Sequence, residues 1–362
     1  VVIGGALVDM YAKCGNFKAA QTALDMLHVR DVVVWTALIA AYAQHGYGAK
    51  VVNCFEEMQL EGIFPNAITF ASTLKGCGII QASGKGKEIH ADISRRGMLG
   101  SDYILDGALV DMYVKCGSLA KAQDVFDNLP VKNIVSWNAL MIGYSHHGHS
   151  ETALTYFEQL QLRGILPNCT TYICCLRACA STGAIDKGQY IHAEIQRQGL
   201  LEGDLIIGSA LVDMYVKCSL LADAEKIFDK LPFRDVVSWT ALIGGYARLG
   251  QTETIFPVFE RMLREGTKPD VVISTVILNA CSRTGFFGKS QTYFEAMSRD
   301  YDIVPTIEHH ICMVDTLGRL GQLDKAIGMV SRMPFFPDLA TWGIILCACK
   351  HSGHVQLGKE AF

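Results

Sequence analysis

Few residues in this chain have the types and spacing that bond-making chemistry needs. His192-Ala193-Glu194 has the H-x-E spacing of zinc deaminases, in which the histidine holds the metal and the glutamate moves protons, but that chemistry also needs a distant P-C-x-x-C. None of the thirteen cysteines has a partner three residues away, and the stretch 102 residues earlier reads His90-Ala91-Asp92. Cys174, Cys175 and Cys179 share one predicted helix, where packing accounts for them better than ligation. Gly84-Lys85-Gly86-Lys87 is basic and glycine-rich but lacks the spacing and the Ser or Thr of a phosphate loop, so it reads as a turn between helices. Asn168-Cys169-Thr170 fits a glycosylation sequon by coincidence, since nothing else indicates secretion. No catalytic residue, metal, cofactor or small-molecule substrate is therefore expected, and the chain is not read as an enzyme.

The pattern that does organise the chain is a period of 102 residues. Gly5-Ala6-Leu7-Val8-Asp9-Met10-Tyr11 returns at 107–113, and again at 209–215 with Ser209 leading. Trp35, Trp137 and Trp239 keep the same interval, as do Pro65, Pro167 and Pro269. Internal repetition of this kind signals stacked units that cannot bury their apolar faces alone. Each period divides into repeats of 31, 35 and 36 residues: 1–31, 32–66, 67–102, 103–133, 134–168, 169–204, 205–235, 236–270 and 271–306, then one of 32 at 307–338. Within 32–66, Trp35, Leu38, Ile39 and Tyr42 mark one face of a first helix, Gly46 breaks it, and Val51, Val52, Phe55 and Met58 mark a second. Gly62 and Pro65 then end the hairpin. The expected fold is all-α, a right-handed superhelical solenoid of helix-turn-helix repeats with first helices lining its concave face.

Composition sets few further limits. The 36 acidic against 32 basic side chains leave a net charge of −4, which gives no electrostatic advertisement of a nucleic-acid partner. Apolar stretches such as 32–43 are too short to span a membrane, so no membrane partner is expected. Most cysteines, among them Cys14, Cys116 and Cys218 in one repeat slot, read as small buried thiols of a reducing compartment. The chain starts at Val1 inside a repeat and looks like a piece of something longer, with any targeting segment upstream.

The repeat lengths, with Ala6-Leu7-Val8-Asp9-Met10-Tyr11-Ala12-Lys13-Cys14-Gly15, Val34-Trp35-Thr36-Ala37-Leu38-Ile39 and Gly86-Lys87-Glu88-Ile89-His90, resemble the pentatricopeptide repeat family, specifically its subclass of mixed short, standard and long repeats. The resemblance covers essentially the whole chain. The stretch Glu308-His309-His310-Ile311-Cys312-Met313-Val314-Asp315, then Met333-Pro334-Phe335-Phe336-Pro337-Asp338 and Trp342-Gly343, resembles the terminal repeats that precede that family's C-terminal extension. The extension would begin at Leu339 and be cut off at Phe362.

In such an array the fifth residue of a repeat lies in the first turn of its first helix, and the last residue lies where the next first helix begins. Two side chains then converge on one base, as in repeat proteins that read single-stranded RNA with two or three side chains per base. The pairs in the standard-length repeats are Thr36 with Asn66, Asn138 with Asn168, and Thr240 with Asp270; the resemblance implies adenine, a pyrimidine and guanine, read 5′ to 3′ along the chain. Ser209 with Asp235 is a further guanine candidate, giving a core of A-N-N-Y-N-G-G. Gly5, Gly107, Ala71, Ile173 and Ile311 depart from the pattern and leave their bases unassigned. The competing account of the last slot is helix capping, because Asp or Asn also stands at 31, 102, 133, 204 and 338 and both residues cap well. Capping leaves the choice between them free for reading.

Two more slots recur. Val2, Val33, Ile68, Ile104, Val135, Ile206, Val237 and Val272 fall second in their repeats, and the resemblance implies that they clamp base faces; helix packing is the alternative. Lys13, Lys115, Lys217, Arg248, Arg283 and Arg319 fall thirteenth, one helix length deeper, where phosphates could run; solvated side chains are the alternative. If about five of them met phosphate, the salt slope for a single strand would be roughly 0.7 times five. The resemblance further implies the recognition tract of an organellar C-to-U RNA editing factor, in chloroplast or mitochondrion. Accessory proteins and a deaminase domain, in cis or in trans, would be its other partners. In that register the repeat ending at Asp338 faces the fourth nucleotide before the edited cytidine. Two other readings stand beside it: a scaffold like tetratricopeptide arrays, whose period is typically 34, and an RNA stabilisation or splicing factor that recruits no deaminase.

Overall fold

The computed structural model describes residues 2–201 and 204–352, without the side chains of Val2, Ile3, His351 and Ser352. The second-slot side chain of Val2 and the extension beyond 352 therefore lie outside the described residues. These residues form twenty-one α-helices and no strand, the all-helical class that the repeat pattern predicts.

The chain divides into two compact bodies, one ending at Thr182 and one starting at Gly183. The first holds α1 (Val2–Lys13), α2 (Phe17–Asp25), α3 (Val32–Gln44), α4 (Gly48–Leu60), α5 (Ala67–Ile79), α6 (Ser83–Arg95), α7 (Tyr103–Lys115), α8 (Leu119–Asn128), α9 (Ile134–His146), α10 (Ser150–Leu162) and α11 (Cys169–Thr182). The second holds α12 (Ile185–Arg197), α13 (Leu205–Lys217), α14 (Leu221–Lys230), α15 (Val236–Arg248), α16 (Thr252–Arg264), α17 (Val271–Thr284), α18 (Phe287–Arg299), α19 (Ile307–Arg319), α20 (Leu323–Arg332) and α21 (Leu339–Ser352). Within each body every odd-numbered helix packs against the next odd-numbered one, and each even-numbered helix packs against odd-numbered neighbours in the chain. That ladder of hairpins is what a solenoid requires.

Sequence explains the two roles. An odd-numbered helix is flanked on both sides, so its buried residues run almost without a break, as with Val34, Trp35, Thr36, Leu38, Ile39, Ala41, Tyr42 and Ala43 in α3. An even-numbered helix buries one stripe, as with Ala153, Leu154, Phe157 and Leu160 in α10, the three-and-four spacing of an amphipathic helix. No helix among the described residues is long and apolar enough to cross a membrane. Trp137 and Trp239 are fully buried and meet Phe126 and Phe228 edge-on, with ring centroids 4.8 and 4.6 Å apart.

Caps set where the odd-numbered helices begin. Asp31 accepts from the N–H of Val33 and Val34 at 3.1 and 3.0 Å, Asp102 from Ile104 at 2.8 Å, and Asp204 from Ile206 at 2.9 Å. Each such cap contributes about 1 kcal/mol. Left-handed residues make the turns into most even-numbered helices, and two of them are not glycine. Ser219 (φ 63°) stands where Gly117 (φ 71°) stands one period earlier, and Gln81 (φ 53°) stands where Gly183 (φ 71°) stands one period later. A side chain in that region costs about 1 kcal/mol or more.

Candidate nucleic-acid interface

In three of the four candidate pairs the fifth and last slots meet, directly or through a third side chain. Asn66 caps α5 through its Oδ1, which accepts the Thr69 N–H at 2.9 Å and the Thr69 hydroxyl at 2.9 Å. The Thr69 hydroxyl lies 2.7 Å from that of Thr36 on α3. One period on, Asn168 Oδ1 accepts the Thr171 N–H at 3.0 Å and an Asn138 side-chain N–H at 3.0 Å, while the Thr171 hydroxyl donates to Asn138 Oδ1 at 2.7 Å. In the second body Ser209 Oγ sits 3.0 Å from Asp235 Oδ1, the oxygen that takes the Ser238 N–H at 2.9 Å. Thr240 and Asp270 do not bond to each other: the Thr240 hydroxyl donates to Val236 O at 2.6 Å, and Asp270 Oδ1 accepts the Ile273 N–H at 2.8 Å.

Capping and exposure divide each last-slot side chain in two. One oxygen is committed to the helix N-terminus; what remains is an NH2 group for Asn66 and Asn168 and a second carboxylate oxygen for Asp235 and Asp270. Among the described residues none of these remaining atoms has a hydrogen-bond partner. The first-turn partners are largely covered, with Thr36 at 8%, Asn138 at 6% and Ser209 at 5% exposure. They offer an edge rather than a whole side chain.

Second-slot residues stand beside these pairs and are open. Exposure runs from 39% for Val135 through 53% for Val272, 57% for Val237 and 59% for Ile206 to 67% for Val33. Packing within the protein does not account for side chains so uncovered. The lower value of Val135 has a local cause, which also explains a costly glycine. A Cβ on Gly107 would lie 2.5 Å from Val135 Cγ1, so the fifth slot of that short repeat is empty because the next repeat's second residue rests on it.

The thirteenth slot is less simple. Lys13, Lys115 and Lys217 each bond to the aspartate four residues earlier, Asp9, Asp111 and Asp213, at 2.7, 2.6 and 2.7 Å, and Arg319 does the same with Asp315 at 2.9 Å. They end their helices, where a cation suits the C-terminal dipole. Arg248 and Arg283 are exposed.

Residues with metal-ligand types take structural parts. The His192 Nδ1 lies 3.0 Å from the Tyr215 hydroxyl, repeating the 2.9 Å pairing of His90 with Tyr113. Cys174, Cys175 and Cys179 are buried, and burial pushes the Cys174 thiol up to about 12, which holds it in the unreactive protonated form. No group of three or more His, Cys, Asp or Glu among the described residues is placed to hold a metal ion.

The residues that join the pairs belong to neither the fifth nor the last slot. Thr69 and Thr171 stand third in their repeats and are fully buried, as is His309 in the same slot. His309 Nδ1 accepts the Thr306 N–H at 3.0 Å, and its Nε2 lies 3.1 Å from the Thr275 hydroxyl; Thr275 and Thr306 are the fifth and last residues of their own repeat. The available signal was Asn-x-x-Thr at 66–69 and again at 168–171, the spacing of a capping box.

Comparison with known proteins bears on what such an array is. The PPR repeat family matches at residues 30–78, 132–181 and 234–283, and a further PPR repeat at 107–134. The chloroplastic pentatricopeptide repeat-containing protein CRR2 of Arabidopsis thaliana is 37% identical over 98% of this chain and 55% of its own length. A mitochondrial pentatricopeptide repeat-containing protein of the same plant is 35% identical over 98% of this chain and 51% of its own. The chain thus spans about half the length of these relatives. Among solved structures, the pentatricopeptide repeat protein PPR10 in complex with an 18-nucleotide psaJ RNA element superposes with a TM-score of 0.78 at 17% identity, over 99% of this chain and 53% of that one.

Proposed function

This chain belongs to the pentatricopeptide repeat family, and from that premise we propose that it binds single-stranded RNA in a sequence-dependent way, about one base per repeat. The observation that carries the reading is the division of each of the four candidate last-slot side chains between a capping oxygen and a free polar atom, with Asn66, Asn168 and Asp235 brought to the fifth residue. Where the last residue is Asn, the free group is a donor; where it is Asp, it is an acceptor.

The polarity matches the assigned bases. Asp270 offers a carboxylate oxygen, and Thr240, its proton committed to Val236 O, offers lone pairs; guanine presents the complementary N1–H and N2–H donors. Ser209 with Asp235 has the same polarity. Asn138 and Asn168 each keep side-chain N–H donors, which suits the O2 acceptor that both pyrimidines share. Asn66 offers a donor for N1 of adenine. The open aliphatic residues at the second slots would flank each base face, and PPR10 holds its 18-nucleotide RNA element in a fold that this chain shares.

The finer role is the recognition tract of an organellar C-to-U editing factor of the mixed-repeat subclass, working with accessory proteins and a deaminase domain in chloroplast or mitochondrion. Its support is the motif run from Glu308 to Gly343 and the chloroplastic and mitochondrial relatives. Selection from a randomised single-stranded RNA pool tests the first claim. Enrichment of A-N-N-Y-N-G-G is the expected result, and flat binding that vanishes at moderate salt would leave only a scaffold. A footprint placing Thr240 and Asp270 at the sixth nucleotide before an edited cytidine is expected for the second claim, and any other register defeats it.

A further inference from the structure

We propose that the buried third residue of the following repeat, Thr69 or Thr171, is a third member of the base-reading pair. It is a positioning residue that decides which hydrogen-bonding polarity the fifth side chain turns toward the base. The inference rests on the RNA-reading proposal and deepens it.

Three repeats show the same construction. Thr69 bonds both Thr36 and Asn66, Thr171 bonds both Asn138 and Asn168, and His309 bonds both Thr275 and Thr306. All three joining side chains have no exposed surface, so they cannot touch a base themselves. A buried hydroxyl of this kind must place its one proton, and where that proton goes determines what its neighbours can offer.

Proton accounting gives different answers in the two threonine cases. Asn66 Oδ1 can only accept, and the Thr69 hydroxyl donates to it. With the Thr69 proton on Asn66, Thr36, which unlike an amide oxygen can donate, gives its own proton to Thr69 Oγ1 and keeps its lone pairs free. With the Asn66 NH2 group this makes one acceptor and one donor, the complement of the N6–H and N1 of adenine. The single Thr171 proton has two acceptors in reach, Asn138 Oδ1 at 2.7 Å and Asn168 Oδ1 at 2.9 Å. Asn138 Oδ1 cannot donate in return and Asn168 Oδ1 already takes two N–H groups, so the proton goes to Asn138, whose amide keeps an outward N–H. That repeat is donor on both sides: the bond to Asn168 directs the Asn138 amide, and the Thr171 hydroxyl pairs the amide oxygen that this bond leaves over. Repeats with an apolar third residue behave differently: beside Ile273, Thr240 places its proton on its own helix instead.

Capping survives removal of the hydroxyl, because Asn168 Oδ1 is also held by the Thr171 backbone N–H at 3.0 Å. Thr171→Val keeps the branched shape and the cap while leaving the Asn138 oxygen unpaired and its amide held only through the bond to Asn168 Oδ1. The test measures affinities of the full chain for four RNAs that differ only at the nucleotide facing Asn138 and Asn168. Wild type is expected to prefer either pyrimidine by about tenfold or more. In Thr171→Val that preference should fall below about threefold, with preferences at other nucleotides unchanged, and Thr171→Ser should restore it. Thr69→Val supplies the parallel case, with adenine preference lost at one nucleotide only, and serves if Thr171→Val does not fold. An equal loss for all four RNAs, or an unaltered pyrimidine preference, would overturn the positioning role while leaving RNA reading intact. A wild-type protein that distinguishes no base at any position would overturn both.

Discussion

Asn66→Asp separates the two duties of the last slot, because the substitution conserves one and inverts the other. The capping oxygen is retained: the Thr69 N–H and hydroxyl, each 2.9 Å from Asn66 Oδ1, find the same acceptor in a carboxylate. Asn and Asp cap about equally well, and a negative charge at the α5 N-terminus adds roughly 0.3–1 kcal/mol, so stability should rise slightly or stay level. The outward atom, by contrast, changes from an NH2 donor to an oxygen acceptor. Adenine N1 would then face a lone pair, whereas guanine N1–H would find a partner. A well-formed base contact discriminates by about 1–3 kcal/mol, which is roughly five- to 150-fold in affinity. Fluorescence anisotropy with A-N-N-Y-N-G-G and its G-N-N-Y-N-G-G counterpart should show the preference reversing within that range. A thermal melt of the same sample should show no loss. Retained preference for adenine in a protein of unchanged stability would refute the division of labour, and a loss of more than about 1 kcal/mol would refute the conserved cap.

Three further outcomes follow from the packing. Ser219→Gly should raise the melting temperature, since relief of left-handed backbone at φ 63° contributes about 1 kcal/mol; no rise would mean that the serine is held by contacts outweighing its strain. Gly107→Ala should destabilise the chain by about 1–3 kcal/mol in a denaturant titration, because its new Cβ meets Val135 Cγ1 at 2.5 Å, and unchanged stability would show that Val135 moves freely. Burial holds His309 below the ordinary imidazole value of 6.5, against the opposing pulls of its bond to Val271 O and of Glu308 and with the help of His310. The unfolded chain then binds more protons than the folded one, so stability is complete above about pH 6.5 and falls as the pH drops below it. Melting temperatures of wild type should decline more steeply than those of His309→Gln from pH 7.5 to 5.5, and parallel declines would remove His309 as the cause.

What could be read from sequence divides along a physical line. The all-helical class was legible because a helix stacked on both sides needs apolar residues at recurring places, and 102-residue periodicity in Trp35, Trp137 and Trp239 registers that need directly. Caps were legible for a similar reason: an acceptor at a helix start is a local requirement, satisfied within three residues, as Asp31 satisfies Val33 and Val34. Contacts between repeats were not. The pairing of Lys115 with Asp111 lies within one helix and was visible as a four-residue spacing, yet the recurring lysine read more readily as a phosphate track than as half of an ion pair. The reason for Gly107 in the first turn of a helix lies 28 residues on, where Val135 rests against it.

The third-slot residues lie furthest beyond local reading, and their placement bears on the specificity proposed for the array. A threonine one turn into a helix is unremarkable in one dimension; Thr69 acquires its part only because α3 and α5 approach closely enough to bring Thr36 within 2.7 Å of it. A last-slot exchange between Asn and Asp leaves the cap intact and alters only the free atom, so base preference can drift there without cost to the fold. A third-slot exchange changes the proton that a fully buried hydroxyl must place, which touches the fifth residue, the last residue and the helix start together. On the proposed reading, base choice would be set by pairs of outward atoms and limited by the hydrogen-bond directions fixed beneath them. Repeats with the same fifth and last residues but different third residues, such as threonine against isoleucine, should not read with equal stringency.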